Sequence, residues 1–326
     1  MTGLSIAASG PAADAVARLA PRLAAAGAAG RLPQVGAAHR SRPLVGEVAA
    51  MRDDLLSRGL DEVVLVGEGY AGARRLLRLG EAGVTVGERS VVVVVEPHDL
   101  DVEGEELLQA VERSLEQRGH AIADHVVVVT YARSPLDFGA RSAGYRIVNV
   151  SPRRERRPGA LSAFGVLPDG LAGTDIEALL DDADAVGDLL AENDEDNPAL
   201  RLAAALGGLP DDVDLRFVDT APTPAGHDGL AAWVARTVGR GVAGPAPTAD
   251  HGELLVLIGA DLPDELDDLA HPSDERVVLR VDGSLGAQLL LWETTSEILH
   301  DRLVPSPHPA ATRPSHPATR HTEGHA

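Results

Sequence analysis

Ser90–Asp101 reads SVVVVVEPHDLD: five consecutive valines, then Glu96, Pro97, His98 and two aspartates before the chain turns helical. A strand with one wet face alternates apolar and polar residues, because successive side chains point to opposite faces, so an unbroken valine run means that both faces are covered. The pattern recurs in both directions. Glu62–Val66 (EVVLV) precedes this run, His125–Thr130 (HVVVVT) follows it, and Tyr145–Val150 closes the set. Helical spacing occupies the intervals at Ala73–Leu79, at Glu103–Arg118 and near Pro135–Ala143. Continuous apolar strands separated by helices predict a parallel sheet with helices on both faces.

Before this block, Pro11–Ala26 and Leu44–Arg58 (LVGEVAAMRDDLLSR) have the spacing of amphipathic helices. After it, Thr174–Asn197 is helical and strongly acidic, Ala199–Leu206 is apolar, and Gly207-Gly208 marks a boundary. Leu215–Val218, Leu254–Ile258 and Val277–Val281 again read as buried strands, with a helix around Gly229–Val238 and a last helix over roughly Ser284–Arg302. Pro305–Ala326 contains five prolines and no apolar face to offset the entropy of ordering, and it reads as disordered. The sequence therefore predicts an α/β protein with two doubly wound βαβ domains and parallel sheets. Its parts are an N-terminal helical segment 1–59, a first domain 60–206, a second and shorter domain 207–304, and a tail 305–326.

The chain has 326 residues, 50 acidic and 29 basic, for a net charge of −21. Every basic residue is arginine, and there is neither lysine nor cysteine. Disulfides, thiolate metal sites, cysteine nucleophiles, Schiff-base lysines and a Walker lysine are all excluded. The negative charge disfavours nucleic acid and anionic lipid, which leaves small molecules and protein subunits as partners. The longest uncharged apolar runs, such as Val91–Val95 and Leu289–Trp292, are too short to span a bilayer, and the chain reads as cytoplasmic. His316, His321 and His325 in a proline-rich tail lack a fixed ligand geometry, and the carboxylates between Asp175 and Asp196 read as a solvated helix face. No metal and no cofactor are predicted.

Several separated segments carry a resemblance. They are Ser41-Arg42-Pro43-Leu44, VVLVGEGYAGA at Val63–Ala73, Ser134-Pro135-Leu136, GALSAFGVLPDGLAGTDIEALL at Gly159–Leu180, Asn197-Pro198, and GSLGAQLLLWE at Gly283–Glu293. In this order they resemble the phosphoglucose isomerase family, and most of all its bacterial forms fused to or encoded near transaldolase. The resemblance runs from about Gln34 to about Pro309. It implies two sugar isomerase (SIS) domains, a homodimer or a hetero-partner, a sugar or sugar phosphate as ligand, and no cofactor. It also implies interconversion of glucose 6-phosphate and fructose 6-phosphate through a cis-enediol.

The residues that resemblance assigns are only partly kept. Gly67 and Gly69 fall on the glycine turn that lets backbone amides approach the sugar, and Ser134 falls on a substrate-binding position. Arg157 falls on the arginine that stabilises the enediolate, although Arg153, Arg154, Arg156 and Arg157 equally read as a solvated basic loop. Where the family has a hydroxyl-rich phosphate cradle, this chain has Glu96, Pro97, His98, Asp99, Leu100 and Asp101, so carboxylates stand where a dianion docks. No glutamate follows Trp233, where the family's base is expected, and the terminal lysine is gone. Glu293 sits on a helix whose apolar spacing assigns it to packing and dimer contacts. The expectation is an isomerase-family protein with lost or strongly impaired activity and a structural, regulatory or binding role. The alternatives are an active isomerase with rearranged groups, its base sought among Glu68, Glu96 and Glu293, and a sensor of a non-phosphorylated or cationic ligand near Glu96, Asp99 and Asp101.

Overall fold

The computed structural model describes residues 4–30, 37–67, 86–151, 159–210, 213–220, 229–239, 242–243, 254–259 and 277–300. The glycine turn beyond Gly67, the basic run at 152–158 and the tail lie outside the described residues.

The fold is α/β with two separate sheets. In the first, β2 (Glu62–Gly67), β3 (Ser90–Val95), β4 (Val126–Tyr131) and β5 (Arg146–Val150) lie side by side in chain order, and every pair is parallel. Helix α4 (Val102–Gln117) links β3 to β4, with the short α5 (Ile122–His125) just before β4, and α6 (Pro135–Ala143) links β4 to β5. The valine runs behave as their lack of alternation requires. Val64, Val66, Val92, Val94, Val126 and Val128 pack with Leu107, Val111 and Leu115 of α4 and Leu136 and Ala140 of α6. Their neighbours Val63, Leu65, Val91, Val93, Val95, Val127 and Val129 face the other way, into the main core. Burying a valine side chain contributes about 1.5–3 kcal/mol, so a sheet wet on one face would lose half of this gain.

The main core continues through α3 (Leu44–Ser57), α7 (Ala163–Leu171), α8 (Ile176–Ala191), α9 (Pro198–Gly207) and the last helix, α11 (Leu285–His300), to the second sheet. That sheet has the order β1 (Ser5–Ala8), β9 (Val277–Asp282), β8 (Leu254–Ile258), β6 (Leu215–Asp219), β7 (Val242–Ala243), with α10 (Leu230–Val238) following β6. Its strands are parallel except β1, which runs antiparallel to β9 in the register Ser5↔Asp282 to Ala8↔Leu279. The first helices are α1 (Gly10–Ala28) and the short α2 (Ala37–Ser41).

Three differences from the sequence reading have local causes. Ser-Ile-Ala-Ala at β1 carries one large apolar residue and no strand signal of its own; it is recruited by the open edge of β9. Helix α7 is buried at all nine of its positions, so it shows no amphipathic period to read. The acidic segment is not one helix to Asn197. Helix α8 stops at Ala191, and Asn197 begins α9 instead. Its side-chain oxygen accepts the Ala199 N–H at 2.8 Å, while its amide donates to the carbonyls of Leu190 (2.8 Å) and Glu192 (2.7 Å). The short α2, α5 and β7 were not read from the sequence either; the other strands and helices among the described residues fall within a few residues of their predicted bounds.

Candidate functional site

Parallel strands in one sheet end on the same edge, so the C-terminal ends of β2, β3, β4 and β5 lie at one rim of the first sheet. Apart from Glu293, every site position read from the sequence closes one of these four strands or follows it in the chain. Gly67 is the last residue of β2, with φ +100, and a Cβ added there would lie 2.3 Å from the Val95 carbonyl oxygen. Only glycine fits, because the obstacle is the backbone of the neighbouring strand. Gly69 and Arg157 lie outside the described residues.

After β3, the backbone stays locked to β4. Glu96 donates its N–H to Val129 at 3.1 Å, and the Pro97 carbonyl accepts both the Tyr131 N–H (3.0 Å) and the Thr130 hydroxyl (3.1 Å). The His98 carbonyl accepts from Leu136 N–H at 3.3 Å, and its ring meets that of Tyr131 edge-on at 5.2 Å. Asp99 and Asp101, both exposed, each accept a nearby backbone amide. An Asp99 oxygen accepts the Leu100 N–H at 3.1 Å, and Asp101 caps α4 by accepting the Gly104 N–H at 2.8 Å. The N-terminus of α4, where an anion from outside could dock, thus holds a carboxylate of the chain itself.

After β4, Ser134 caps α6. It accepts the Asp137 N–H at 3.0 Å and sits 2.9 Å from the Thr130 oxygen. Since the Thr130 hydrogen goes to Pro97, the Ser134 hydrogen goes to Thr130, and the buried hydroxyl chain is satisfied within the protein. Ser134 is therefore placed on the rim as expected, with a hydroxyl engaged in holding two connections together. Asp137, 2% exposed, receives the Arg133 N–H at 2.8 Å on one oxygen, and Asn149 and the Arg141 guanidinium, each at 3.0 Å, on the other. Burial raises its pKa, but the bonds from Asn149, Arg133 and Arg141 together outweigh it, and the carboxyl titrates below its ordinary value. Arg133 itself adopts φ +68; among the described residues it is the one non-glycine with positive φ.

A further residue reaches this edge from the far end of the sequence. Helix α7 begins just past the connection leaving β5, and Glu293 of α11 lies against that start. Its Oε1 accepts the Leu161 N–H at 3.3 Å, and a Cβ on Gly159 would lie 2.3 Å from it. Burial pushes the Glu293 carboxyl up to about 7, with Glu297 adding to the shift; the amides of Leu161 and Ala160 and the charge of Arg40 oppose it. The packing expected of α11 is present, with Leu289, Leu290 and Trp292 buried. What sequence spacing could not reveal is that Glu293 meets a turn more than a hundred residues earlier.

Among the described residues no cluster of three metal-ligating side chains occurs, and no helix is long and apolar enough to cross a membrane.

Solved structures share this fold. A hypothetical protein of Thermus thermophilus matches with a TM-score of 0.70 over 93% of this chain and 95% of that one, at 16% identity. A glucose-6-phosphate isomerase from Chlamydia trachomatis matches with a TM-score of 0.59 over 82% of this chain and 70% of that one, at 14% identity. This chain thus shares its fold with both, and at these identities the likeness is one of fold alone. No family model and no curated protein matches the sequence.

Proposed function

We propose that the chain is a phosphoglucose-isomerase-type (SIS) protein that binds a sugar or sugar phosphate at the rim of the first sheet, as a homodimer or with a hetero-partner, and that its isomerase activity is lost or strongly impaired. Its role is then structural, regulatory or ligand-binding. The observation that carries this reading is the N-terminus of α4. A phosphate dianion placed there meets Asp101 bonded to Gly104 and Asp99 bonded to Leu100, so it must displace a cap worth about 1 kcal/mol and face like charge at short range.

The second reading, an active glucose-6-phosphate/fructose-6-phosphate isomerase with rearranged groups, is favoured by one feature. Glu293 has a carboxyl that titrates near neutrality and stands beside the connection that contains Arg157 in sequence. A base must titrate near the working pH to take up and return a proton between C1 and C2.

A coupled assay of glucose 6-phosphate/fructose 6-phosphate interconversion on the purified full chain tests both. The first reading expects turnover at or near background, and restored phosphate affinity when Asp99 and Asp101 are both replaced by serine, a residue that also caps helices well. Turnover like that of an ordinary isomerase, lost in Glu293→Gln, overturns it in favour of the second.

A further inference from the structure

The β4–α6 turn holds an arginine in a conformation that arginine does not favour. At φ +68 a side chain crowds its own backbone, a strain that persists only where the surroundings enforce it and that gathers at functional sites. The enforcement is visible. The Arg133 N–H is gripped at 2.8 Å by Asp137, a buried carboxylate fixed in turn by Asn149 of β5 and by Arg141. The next residue, Ser134, is tied to Thr130, and Leu136 to the His98 carbonyl, so the turn is braced on its own strand and on the β3–α4 connection.

The side chain that this bracing presents is exposed. In a chain with 50 acidic residues, arginines find aspartates readily: Arg42 pairs with Asp181 and Asp184, Arg58 with Asp124, Arg89 with Asp61, Arg146 with Asp54, and Arg201 with Asp196. Arg133 does not. Asp137 takes its backbone amide, not its guanidinium, and among the described residues the guanidinium has no ion pair. The rim carboxylates Asp99 and Asp101 accept the backbone N–H groups of Leu100 and Gly104 and form no ion pair with it. A strained, braced turn therefore holds one uncompensated guanidinium at the strand-end rim, next to the connection whose own anion position is filled.

We infer that Arg133 is the anchor for the acidic group of the sugar ligand, a phosphate or a carboxylate, and that the anion position has moved from the start of α4 to the β4–α6 turn. The inference rests on the sugar-binding reading above and names the group by which that ligand is held. A guanidinium meets either oxyanion with paired N–H bonds, and the fixed backbone reduces the ordering needed on binding.

The test uses the full chain at low ionic strength, with glucose 6-phosphate, gluconate and glucose as probes in titration calorimetry and thermal shift. Glucose 6-phosphate or gluconate should bind the wild type, and whichever binds identifies the acidic group. Arg133→Gln should weaken that probe roughly tenfold to a hundredfold and leave any binding of neutral glucose unchanged. Arg133→Gly relieves the backbone strain. It should lose the acidic probe to the same extent while its melting temperature stays level or rises, an outcome that a purely structural arginine does not produce. Equal affinity of the acidic probe for wild type and both variants overturns the anchor and leaves the sugar-binding reading standing. If glucose, gluconate and glucose 6-phosphate all fail to bind the wild type, the sugar-binding reading falls and the anchor with it.

Discussion

The two sheets end their strands in different ways. In the first, strand order follows chain order, and the glycine closing β2 abuts a main-chain carbonyl, Val95 O, at 2.3 Å from its notional Cβ. In the second, β6 lies between β7 and β8, so the order reverses there, and a Cβ added to Gly259, just past β8, would meet a side-chain hydroxyl, Thr220 Oγ1. Ligands of open α/β sheets commonly sit at such a reversal. Yet the described strand ends of the second sheet press against one another, with Thr220 buried and donating its N–H to Ile258 at 2.8 Å. The first sheet has no reversal among its described strands and nevertheless exposes His98 and Arg133 at its rim. Topology nominates an edge; the polar groups left facing solvent decide which edge can bind.

The comparison breaks most sharply at its two glycines. Gly67→Ala places a methyl group into a backbone that cannot rotate away, at a φ that alanine avoids, and should cost about 3–5 kcal/mol in urea denaturation. A loss below about 1 kcal/mol would mean that β2 and β3 separate easily at that end. Asp137→Ala should follow at about 2–4 kcal/mol, since it removes a buried acceptor of three bonds and frees Arg133.

Glu293 should show its effect through pH. Its carboxyl titrates near 7 in the folded chain and near 4.5 when unfolded, so the folded state holds the proton more tightly. The contribution of Glu293 to stability then falls as pH rises from about 4.5 to 7 and levels off above. Glu293→Gln removes that fall, and its stability relative to wild type should improve by roughly 1–3 kcal/mol across the window. Parallel pH profiles for the two proteins would show that the carboxylate is not buried against Gly159. Asp137 has the opposite sign, since its depressed pKa gives stability that is present above the ordinary aspartate range and lost as pH falls below it.

Gly259→Ala should cost only about 1–2 kcal/mol, because the Thr220 hydroxyl can turn aside while the backbone strain at φ +130 remains. The smallest effect belongs to the α4 cap. Asp101→Ala should lose about 1 kcal/mol, and Asp101→Ser close to nothing.

Much of this was legible in the residues. The valine runs of β2, β3 and β4 announce two-sided burial, and the Ser134-Pro135 start of α6 and the Asp101 start of α4 are capping patterns that a sequence displays openly. The rim positions Gly67, Glu96, His98, Asp99, Asp101 and Ser134 were also legible, because each follows a strand and parallel strands share an edge. Their roles were less so. Asp99 and Asp101 read as charges at a degenerate phosphate site, and the structure adds that one oxygen of each accepts a backbone amide, of Leu100 and of Gly104. A carboxylate at a helix start serves its own amides first, since these are within a few residues and need no partner to arrive.

The sequence by itself determined what depends on near neighbours: strand and helix types, most of their bounds, the paired α/β blocks, and the absence of lysine and cysteine chemistry. Only the tertiary structure decided what depends on residues far apart. Ser5–Ala8 becomes a strand because β9, some 270 residues later, offers an open edge. Glu293 acquires a near-neutral carboxyl because the fold packs it on Gly159, and Arg133 is held left-handed because Asp137 is braced by a neighbouring strand. Desolvation and bracing arise from packing, and packing joins residues that no local period relates.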